Sequence, residues 1–467
     1  MIAPARVAAY EALLAVSAGN ADLPTAIAVA RGGLHDDRDR ALVTDIATGV
    51  QRWRASLDHL ILAFSKRPIE RLDPEVLEIL RLSAYQLLHH SRVPASAVVD
   101  DAVDLVRRAG KRSATGFVNA VLRTISRKRQ SLPFPSRPDD PADRAAALDY
   151  FNITLSHPRW IAARWYDRMG FDATEAWLTF NNAPAPVTLR ANALRVTREA
   201  LVDRLAAQKV VVRPARFAPD ALILEEGQAL ALSSAAAALG APLAGPGLDA
   251  GWFVVQDEAS QLIPLLAGAR PGPRVLDTCA SPGGKTTALA AAMRGEGLLV
   301  ACDVRSRRMD LLRRTVTRCG AANVRLVQAD LLAPLPFSQP FGCVLVDAPC
   351  SGLGTLRRDP DIRWRRRESE IATLAAAELR MLGHAAAVVA PGGRLIYATC
   401  SSEPEEDEAV AAAFLASAPQ FTAIDAHRVS PDLPDAVLDD RGHLRTLPHV
   451  HGLEAFFGAV FERRGRP

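Results

Sequence analysis

The sequence predicts an α/β protein whose C-terminal half is a Rossmann-like, doubly wound and mostly parallel sheet. An all-α domain and a small α+β domain precede it. Three observations support this prediction. Helical periodicity dominates residues 1–128, and four prolines interrupt the chain between residues 131 and 141. From Gly251 onward, short apolar runs that end in polar residues alternate with helical stretches, which favours a parallel sheet.

Composition limits the class of protein. With 467 residues the chain should hold two or three domains, and 49% hydrophobic with 23% charged residues is ordinary for a globular protein. Six cysteines form no C-x-x-C pair, which argues against a disulfide framework and a zinc site. Arg6 and Glu11 interrupt any signal peptide, and no run of 18 apolar residues could span a membrane. We therefore expect a soluble, cytoplasmic monomer without metal.

Helices are predicted throughout the N-terminal region. Asp73 and Pro74 read as a helix cap and a first-turn proline. Further helices are predicted at residues 95–109, closed by Gly110, and around residues 117–125. The region holds no catalytic cluster. We assign residues 1–130 to the all-α domain and residues 131–145 to a proline-rich linker.

The sequence pattern changes in the next predicted domain, residues 146–245. Trp160 and Trp165 lie in a basic helical segment, where we expect them to belong to the core rather than to stack on bases. A strand near the end of residues 181–192, a helix over 198–208 and a strand over 210–212 complete a small α+β unit.

Residues 246–467 form the predicted sheet domain. The strands are predicted at residues 275–277, 298–303, 324–328, 343–347 and 394–398. Parallel sheets bind ligands beyond the carboxyl ends of their strands. The polar residues at or just after these ends are Asp277, Asp303, Asp330, Asp347, Cys350 and Cys400.

A glycine turn follows the first of these strands, in the stretch RVLDTCASPGGKTTAL at residues 274–289. A strand that runs through glycines into a helix leaves backbone N–H groups for a polar ligand. The P-loop pattern fails because Cys279 stands where its first glycine belongs, and the dinucleotide pattern G-x-G-x-x-G fails too. What remains is a Rossmann-like cofactor loop of another kind. Asp303, at the end of the second strand, fits a ribose-binding acid better than a helix cap.

Two cysteines follow strand ends and so face the ligand crevice, whereas Cys302, Cys319 and Cys343 read as small core residues. Because a thiolate is a strong nucleophile near neutral pH, Cys350 and Cys400 beside a carboxylate suggest covalent addition to an electrophilic carbon.

The basic residues are almost all arginine, with only five lysines among 56. Codon bias accounts for most of this excess of arginine. The places where arginines cluster are therefore more informative about function than their number. The densest cluster is RRDPDIRWRRR at residues 357–367, just after Cys350. Arginines interleaved with Trp364 favour single-stranded RNA over a solvated loop.

Three motifs, DTCASPGGKT, DAPCSGLGT with RRDPDIRW, and ATCSSEPEED, resemble those of the RNA 5-methylcytosine methyltransferases. The resemblance is closest to the RsmB or Sun-like branch, which acts on ribosomal RNA. It covers nearly the whole chain, because the N-terminal helices are similar to the NusB-like RNA-binding domain of that branch. SHPRW and VQDEASQL resemble the family's pre-catalytic region. Asp407 departs from the pattern, since the family commonly has asparagine there.

This resemblance implies a function and a site: methyl transfer from S-adenosylmethionine to cytosine carbon 5 in small-subunit ribosomal RNA. Cys400 aligns with the nucleophile, Cys350 with the cysteine that assists product release, and Asp347 with the residue that contacts the target cytosine beside the cofactor. Asp303 and Arg308 would bind the ribose, and Asp330 would lie near the adenine. The remaining cofactor-binding residues implied are Cys279, Ala280, Ser281, Pro282, Gly283, Gly284 and Lys285.

Two other functions compete with this one. A non-catalytic RNA-binding or ribosome-assembly factor would be favoured by loss of Cys400 or of the glycine turn, and both are intact. A DNA cytosine methyltransferase would use the proline–cysteine motif as its nucleophile and would not need Cys400.

Overall fold

The structure is a computed structural model that describes residues 2–225 and 251–465. The chain forms two compact units. The first comprises Met1–Pro184 and Leu356–Arg365, and the second comprises Ala185–Thr355 and Arg366–Pro467. The domain boundary predicted at residue 245 lies outside the described residues. Among the described helices, none has the length and apolar character that crossing a membrane requires.

The first unit is built of helices. They are α1 (Pro4–Ser17), α2 (Leu23–Arg31), α3 (Asp37–Arg52), α4 (Arg54–Ser65), α5 (Pro74–His89), α6 (Ala95–Arg108), α7 (Thr115–Lys128), α8 (Arg144–Asp149), α9 (Arg159–Met169) and α10 (Phe171–Asn182). Asp73 precedes α5 as predicted, but its side chain makes no cap hydrogen bond. The carboxylate pairs with the Lys111 ammonium at 3.1 Å instead.

A tryptophan pair lies in the core of this unit. Trp165 and Trp177 are fully buried, and their ring centroids are 4.7 Å apart. Aromatic rings at this separation contribute more than their buried area alone. The prediction that Trp165 belongs to the core is confirmed, whereas Trp160 is half-buried.

The second unit begins with a small antiparallel sheet and its helix. The elements are β1 (Thr188–Ala191), α11 (Arg198–Ala207), β2 (Val212–Pro214), β3 (Ala221–Leu224) and β4 (Phe253–Val255), followed by α12 (Glu258–Leu262). The strand order is β2-β3-β1-β4. The strand predicted at residues 210–212 starts at Val212, because Val210 is still in the turn after α11.

The large sheet contains the predicted parallel strands and an antiparallel extension. The elements are β5 (Arg274–Asp277), α13 (Gly284–Ala292), β6 (Leu298–Asp303), α14 (Ser306–Cys319), β7 (Val324–Gln328), β8 (Phe341–Asp347), α15 (Ile371–Ala387), β9 (Val389–Thr399), α16 (Glu408–Ser417), β10 (Phe421–Ile424), β11 (Leu444–Thr446) and β12 (Phe456–Arg463). The strand order is β10-β12-β9-β8-β5-β6-β7, and β11 pairs with β12.

Strand order defines the ligand-binding edge. Strands β5 to β9 pair in parallel, and β12 is antiparallel to both β9 and β10. The chain runs from β5 to β6 and β7 on one side and returns to β8 on the other. The switch point therefore lies between β5 and β8, where open α/β sheets form their ligand crevice. Buried apolar side chains cover both faces of the sheet, so this edge is held rigidly.

Candidate active site

The glycine turn connects β5 to α13 at the switch point. The Ser281–Pro282 peptide is cis, and Gly283 has a φ of 105°, a conformation that residues with a Cβ rarely adopt. A Cβ on Gly283 would also lie 3.0 Å from Leu312 and 3.1 Å from Thr315. Glycine is therefore required here because the turn packs closely against α14, and the first-turn N–H groups of α13 have no partner within the helix.

Asp303 lies at the carboxyl end of β6 beside this turn. Its buried carboxylate accepts the Ser281 N–H at 3.3 Å and the Arg305 N–H at 3.4 Å. These long contacts leave lone pairs for other donors. Arg308 is half-exposed, 3.8 Å from the same carboxylate. The helix α14 starts at Ser306, with Arg305 at its N-cap, so Asp303 is not its capping residue.

Asp330 differs from the other strand-end acids. It is exposed after β7, and its carboxylate accepts the Leu332 N–H at 2.9 Å within a tight turn. The exposed apolar side chains Val304 and Leu332 flank this region. In the part of the chain that the structure describes, no hydrogen bond or ion pair joins Asp330 to the glycine turn.

A partly buried ion pair spans the crevice between β5 and β8. Lys285 Nζ donates to Asp347 Oδ2 at 2.6 Å. Burial alone would lower the pKa of Lys285, but the charge and hydrogen bond of Asp347 raise it, so the lysine stays charged at neutral pH. Lys285 Nζ also lies 5.6 Å from the centre of the Phe456 ring.

Asp277 ends β5 beneath the same crevice. Thr286 Oγ1 donates to its Oδ2 at 2.7 Å, and Oδ1 has no hydrogen-bond partner although the residue is fully buried. Burial raises the pKa of Asp277 to about 7, and the negative charge of Asp347 adds to the effect. A buried oxygen that lacks a donor is what a polar ligand would satisfy.

The two candidate cysteines meet above this ion pair. Cys350 Sγ and Cys400 Sγ are 3.4 Å apart, with Cys350 8% exposed and Cys400 half-buried. The hydrogen bond with Cys400 and burial raise the pKa of Cys350 well above its usual range. Cys350 is therefore a neutral thiol, and either sulfur can be the donor in this hydrogen bond. The core assignment of Cys302, Cys319 and Cys343 is confirmed by their burial.

The turn that carries Cys350 is fixed by contacts that sequence reasoning missed. Arg366 donates from Nε to the Ser351 carbonyl at 2.8 Å and from a terminal nitrogen to the Cys350 carbonyl at 3.1 Å. Gly354 N–H donates to the Cys400 carbonyl at 3.0 Å, and a Cβ on Gly354 would lie 2.7 Å from that oxygen. Arg366 was visible in the sequence only as one more member of a basic run.

A second missed residue is Arg190 on β1, which is buried under the helix that follows the glycine turn. Its guanidinium donates to the Gly284 carbonyl at 2.7 Å and to Thr287 Oγ1 at 2.7 Å. Burial lowers the pKa of Arg190 to about 10, so it remains charged. The small sheet thus supports α13 through Arg190. Nothing in the local pattern VTLRAN distinguishes this arginine from an exposed one.

The arginine cluster of residues 357–367 corrects an expectation. Arg363 is fully buried within the first unit and donates to Ser156 O at 3.0 Å and Asn182 Oδ1 at 3.1 Å. Trp364 donates from its indole to the Gln51 carbonyl at 2.6 Å. Only Arg365 and Arg367 are exposed among the six arginines. The interpretation of the whole cluster as an RNA-binding surface is therefore wrong for Arg363, whose guanidinium is used in packing.

The fold and the site define a class of protein. A parallel sheet with a glycine turn, an acid ending its second strand and an ion pair at the switch point is a Rossmann-like methyltransferase domain. The sequence matches the family described as 16S rRNA methyltransferase RsmB/F over residues 265–462. Residues 3–127 match the NusB family, and residues 157–231 match the ferredoxin-like domain of RsmF/B-like methyltransferases.

Similar proteins match this chain over nearly its whole length. The probable ribosomal RNA small subunit methyltransferase B of Bacillus subtilis is 30% identical over 433 residues, covering 92% of each chain. The Pseudomonas putida ribosomal RNA small subunit methyltransferase B is 34% identical, covering 90% of this chain and 91% of the relative. The chain therefore belongs to the RsmB/F family of rRNA methyltransferases, and the resemblance stated from its motifs is confirmed.

Solved structures show the same architecture. The crystal structure of PH0851 has a TM-score of 0.79 and 25% identity, covering 99% of both chains. NSun6 from Pyrococcus horikoshii, solved with SFG, has a TM-score of 0.57 and 18% identity, covering 66% of this chain and 99% of that one. The second likeness supports the fold alone. The predicted fold class, with its NusB-like helical domain, is confirmed.

Proposed function

We propose that this protein methylates carbon 5 of a cytosine in small-subunit ribosomal RNA, with S-adenosylmethionine as methyl donor and Cys400 as nucleophile. The observation that carries the proposal is the pair of sulfurs 3.4 Å apart, next to the partly buried Lys285–Asp347 ion pair. Family membership supports the rRNA substrate, because curated relatives are named for that activity.

The residues of the glycine turn fit the cofactor. The Asp303 carboxylate retains lone pairs for two ribose hydroxyls, and Arg308 lies beside it. The first turn of α13, which follows Gly283, offers backbone N–H groups to a carboxylate. We assign residues 279–285 with Asp303, Arg308, Asp330 and Asp347 to this site. When bound, S-adenosylmethionine supplies an electrophilic methyl group that requires a carbon nucleophile.

Cytosine carbon 5 becomes such a nucleophile only after a thiolate adds to carbon 6. Cys400 is suited to this step because it is half-buried at the crevice, and the neutral Cys350 thiol 3.4 Å away can donate a hydrogen bond to its sulfur. Asp347, held by Lys285, would share a proton with ring nitrogen 3, because both the carboxylate and this nitrogen are acceptors. The proton on nitrogen 3 draws electrons from carbon 6 and eases the addition. The base must leave any stack to reach the crevice.

The second cysteine suits the release step. The hydrogen bond and charge of Cys400 raise the pKa of Cys350. Once the Cys400 sulfur is bonded to carbon, both effects disappear and Cys350 can lose its proton to solvent. The Cys350 thiolate then takes the proton from carbon 5, the electron pair forms the C5–C6 double bond, and Cys400 leaves with the electrons of the C6–S bond.

Substitution of each cysteine tests this assignment. We expect Cys400→Ala to be inactive and to form no adduct with ribosomal RNA from cells lacking the protein. Cys350→Ala should transfer methyl and then stall as a protein–RNA adduct that survives denaturing electrophoresis. The double variant should lose the adduct, and Cys343→Ala, near the amino end of β8 and away from the crevice, should behave like the unmodified protein.

Each alternative gives another pattern. An adduct from Cys400→Ala and none from Cys350→Ala would exchange the two roles. RNA binding with no adduct and no methylation in any variant, the unmodified protein included, would indicate a non-catalytic RNA-binding factor. Bisulfite mapping of small-subunit RNA from the deletion strain identifies the cytosine, and an unchanged map would refute the proposed activity.

A further inference from the structure

A buried carboxylate joins the two turns that carry the cysteines. Glu406 is fully buried, and its Oε1 accepts the Ser351 N–H at 2.7 Å. Its Oε2 accepts the Ser351 hydroxyl at 2.5 Å and the Ser401 hydroxyl as well. Ser351 follows Cys350 directly, and Ser401 follows Cys400. One side chain therefore contacts the residue after each cysteine.

A carboxylate is suited to this place because it is an acceptor on both oxygens and binds several donors at once. Hydrogen bonds to an ionised acceptor are also shorter and stronger than neutral ones. The neighbouring Glu378 does not repel the Glu406 carboxylate. Burial and the charge of Glu406 raise the pKa of Glu378 to about 9 and leave Glu378 neutral. The Tyr397 hydroxyl contacts both the Glu378 side chain and the Glu406 carbonyl.

The two serines also touch each other, with their hydroxyl oxygens 3.2 Å apart. Ser401 Oγ in turn accepts the Glu403 N–H at 3.0 Å. The serines thus form one buried polar network centred on Glu406, directly behind the thiols. The side chains of Glu406, Ser351 and Ser401 all have hydrogen-bond partners, and a satisfied buried network is rigid, so its geometry is narrowly defined.

We propose that Glu406 is a positioning residue that sets the Cys350–Cys400 sulfur separation by holding Ser351 and Ser401 on one carboxylate. This role rests on the proposed function, in which the two thiols act on adjacent carbons of one base. If either turn shifts, one thiol still reaches its carbon but the other does not.

The sulfur separation can be measured without RNA. Diamide, an azo oxidant, takes two electrons and two protons from a thiol pair, forming the S–S bond and a hydrazine. Sulfurs 3.4 Å apart need only a small approach to reach the length of about 2.05 Å of a disulfide. The rate at which the Cys350–Cys400 disulfide forms can be followed by mass spectrometry of the linked peptides. This rate therefore reports how the two turns are held.

We expect Glu406→Ala to slow this disulfide and to lower kcat for RNA methylation, each by about tenfold or more, as for loss of a hydrogen bond to a charged group. The KM for S-adenosylmethionine should stay within about twofold. Glu406→Gln keeps the shape and one acceptor and should recover part of both rates. Ser401→Ala should show a smaller loss, and Glu405→Gln, at the exposed neighbouring position, should match the unmodified protein.

Two results would overturn the proposal. One is an unchanged disulfide rate in folded Glu406→Ala. The other is a loss of cofactor affinity that parallels the loss of kcat, which indicates a general structural role. If Glu406→Ala does not fold, unchanged rates in Glu406→Gln and Ser401→Ala refute the proposal instead. Should the unmodified protein fail to methylate RNA, the proposed function fails, while the disulfide rates still decide whether Glu406 holds the turns.

Discussion

Replacing Arg363 tests whether the arginine cluster packs or binds RNA. Arg363→Met keeps the length of the side chain but removes the donors to Ser156 O, Asn182 Oδ1 and Leu356 O, the last at 3.3 Å. Hydrogen bonds from a charged donor contribute about 1.5–3 kcal/mol each. Burying the cation offsets part of this, and burial does lower the pKa of Arg363. We expect a net loss of about 3 kcal/mol.

Thermal unfolding provides the assay. For a folding unit of 150–250 residues, 1 kcal/mol shifts Tm by about 2–4 °C, so Arg363→Met should lower Tm by roughly 6–12 °C. Arg367→Met is the matched control, because Arg367 is exposed and surface substitutions change stability by about 0.5 kcal/mol or less. A Tm within about 2 °C of the unmodified protein, combined with weaker RNA binding, would refute the packing role.

Three further predictions concern the cofactor, pH and RNA. Asp303→Ala should weaken S-adenosylmethionine binding about 10- to 100-fold by calorimetry, because two hydrogen bonds to a charged acceptor are lost; unchanged affinity removes Asp303 from the ribose site. The pKa of Asp277, raised from 3.8 to about 7, means that the folded state binds more protons than the unfolded one between these values. Stability should therefore fall as pH rises from about 4 to 7, and Asp277→Asn should flatten that fall in urea titrations; an equally steep fall in the variant contradicts the assignment. Neutralising Arg365 and Arg367 together should lower RNA affinity and reduce the salt slope by about 1.4, as for two contacts to a single strand. An unaltered slope means that these two arginines are merely solvated.

The parallel core of the sheet could be predicted because its signals are local. Strands β6 and β7 have the predicted bounds, Leu298–Asp303 and Val324–Gln328. Strand β6 is a short apolar run that ends in an aspartate and is followed by α14, which is the pattern of a βα unit, and β7 follows that helix. The strand ends then bring the motif residues to one edge, and the Lys285–Asp347 pair lies there as the topology requires.

Strand β9 shows where local signals mislead. Pro391, Gly392 and Gly393 are turn residues, so the strand was predicted to start at Arg394. In the structure β9 starts at Val389, which pairs with Phe341 across a register shift before the ladder resumes at Arg394. Long-range pairing outweighs the local preference here. The insertion of β12 between β9 and β10 is likewise set by contacts distant in sequence.

Charge density along the chain cannot separate the functions that arginine serves here. Arg363 lies in the first unit, buried among carbonyl oxygens, while Arg366 lies in the second and holds the carbonyls of Cys350 and Ser351. Both donate in the forked geometry that guanidinium favours, and Arg363, which is fully buried, is not available to phosphate. In sequence they stand three residues apart in one basic run. Which arginines are buried depends on residues far away in the chain. Only the exposed members of the run can contribute to counterion release on RNA binding.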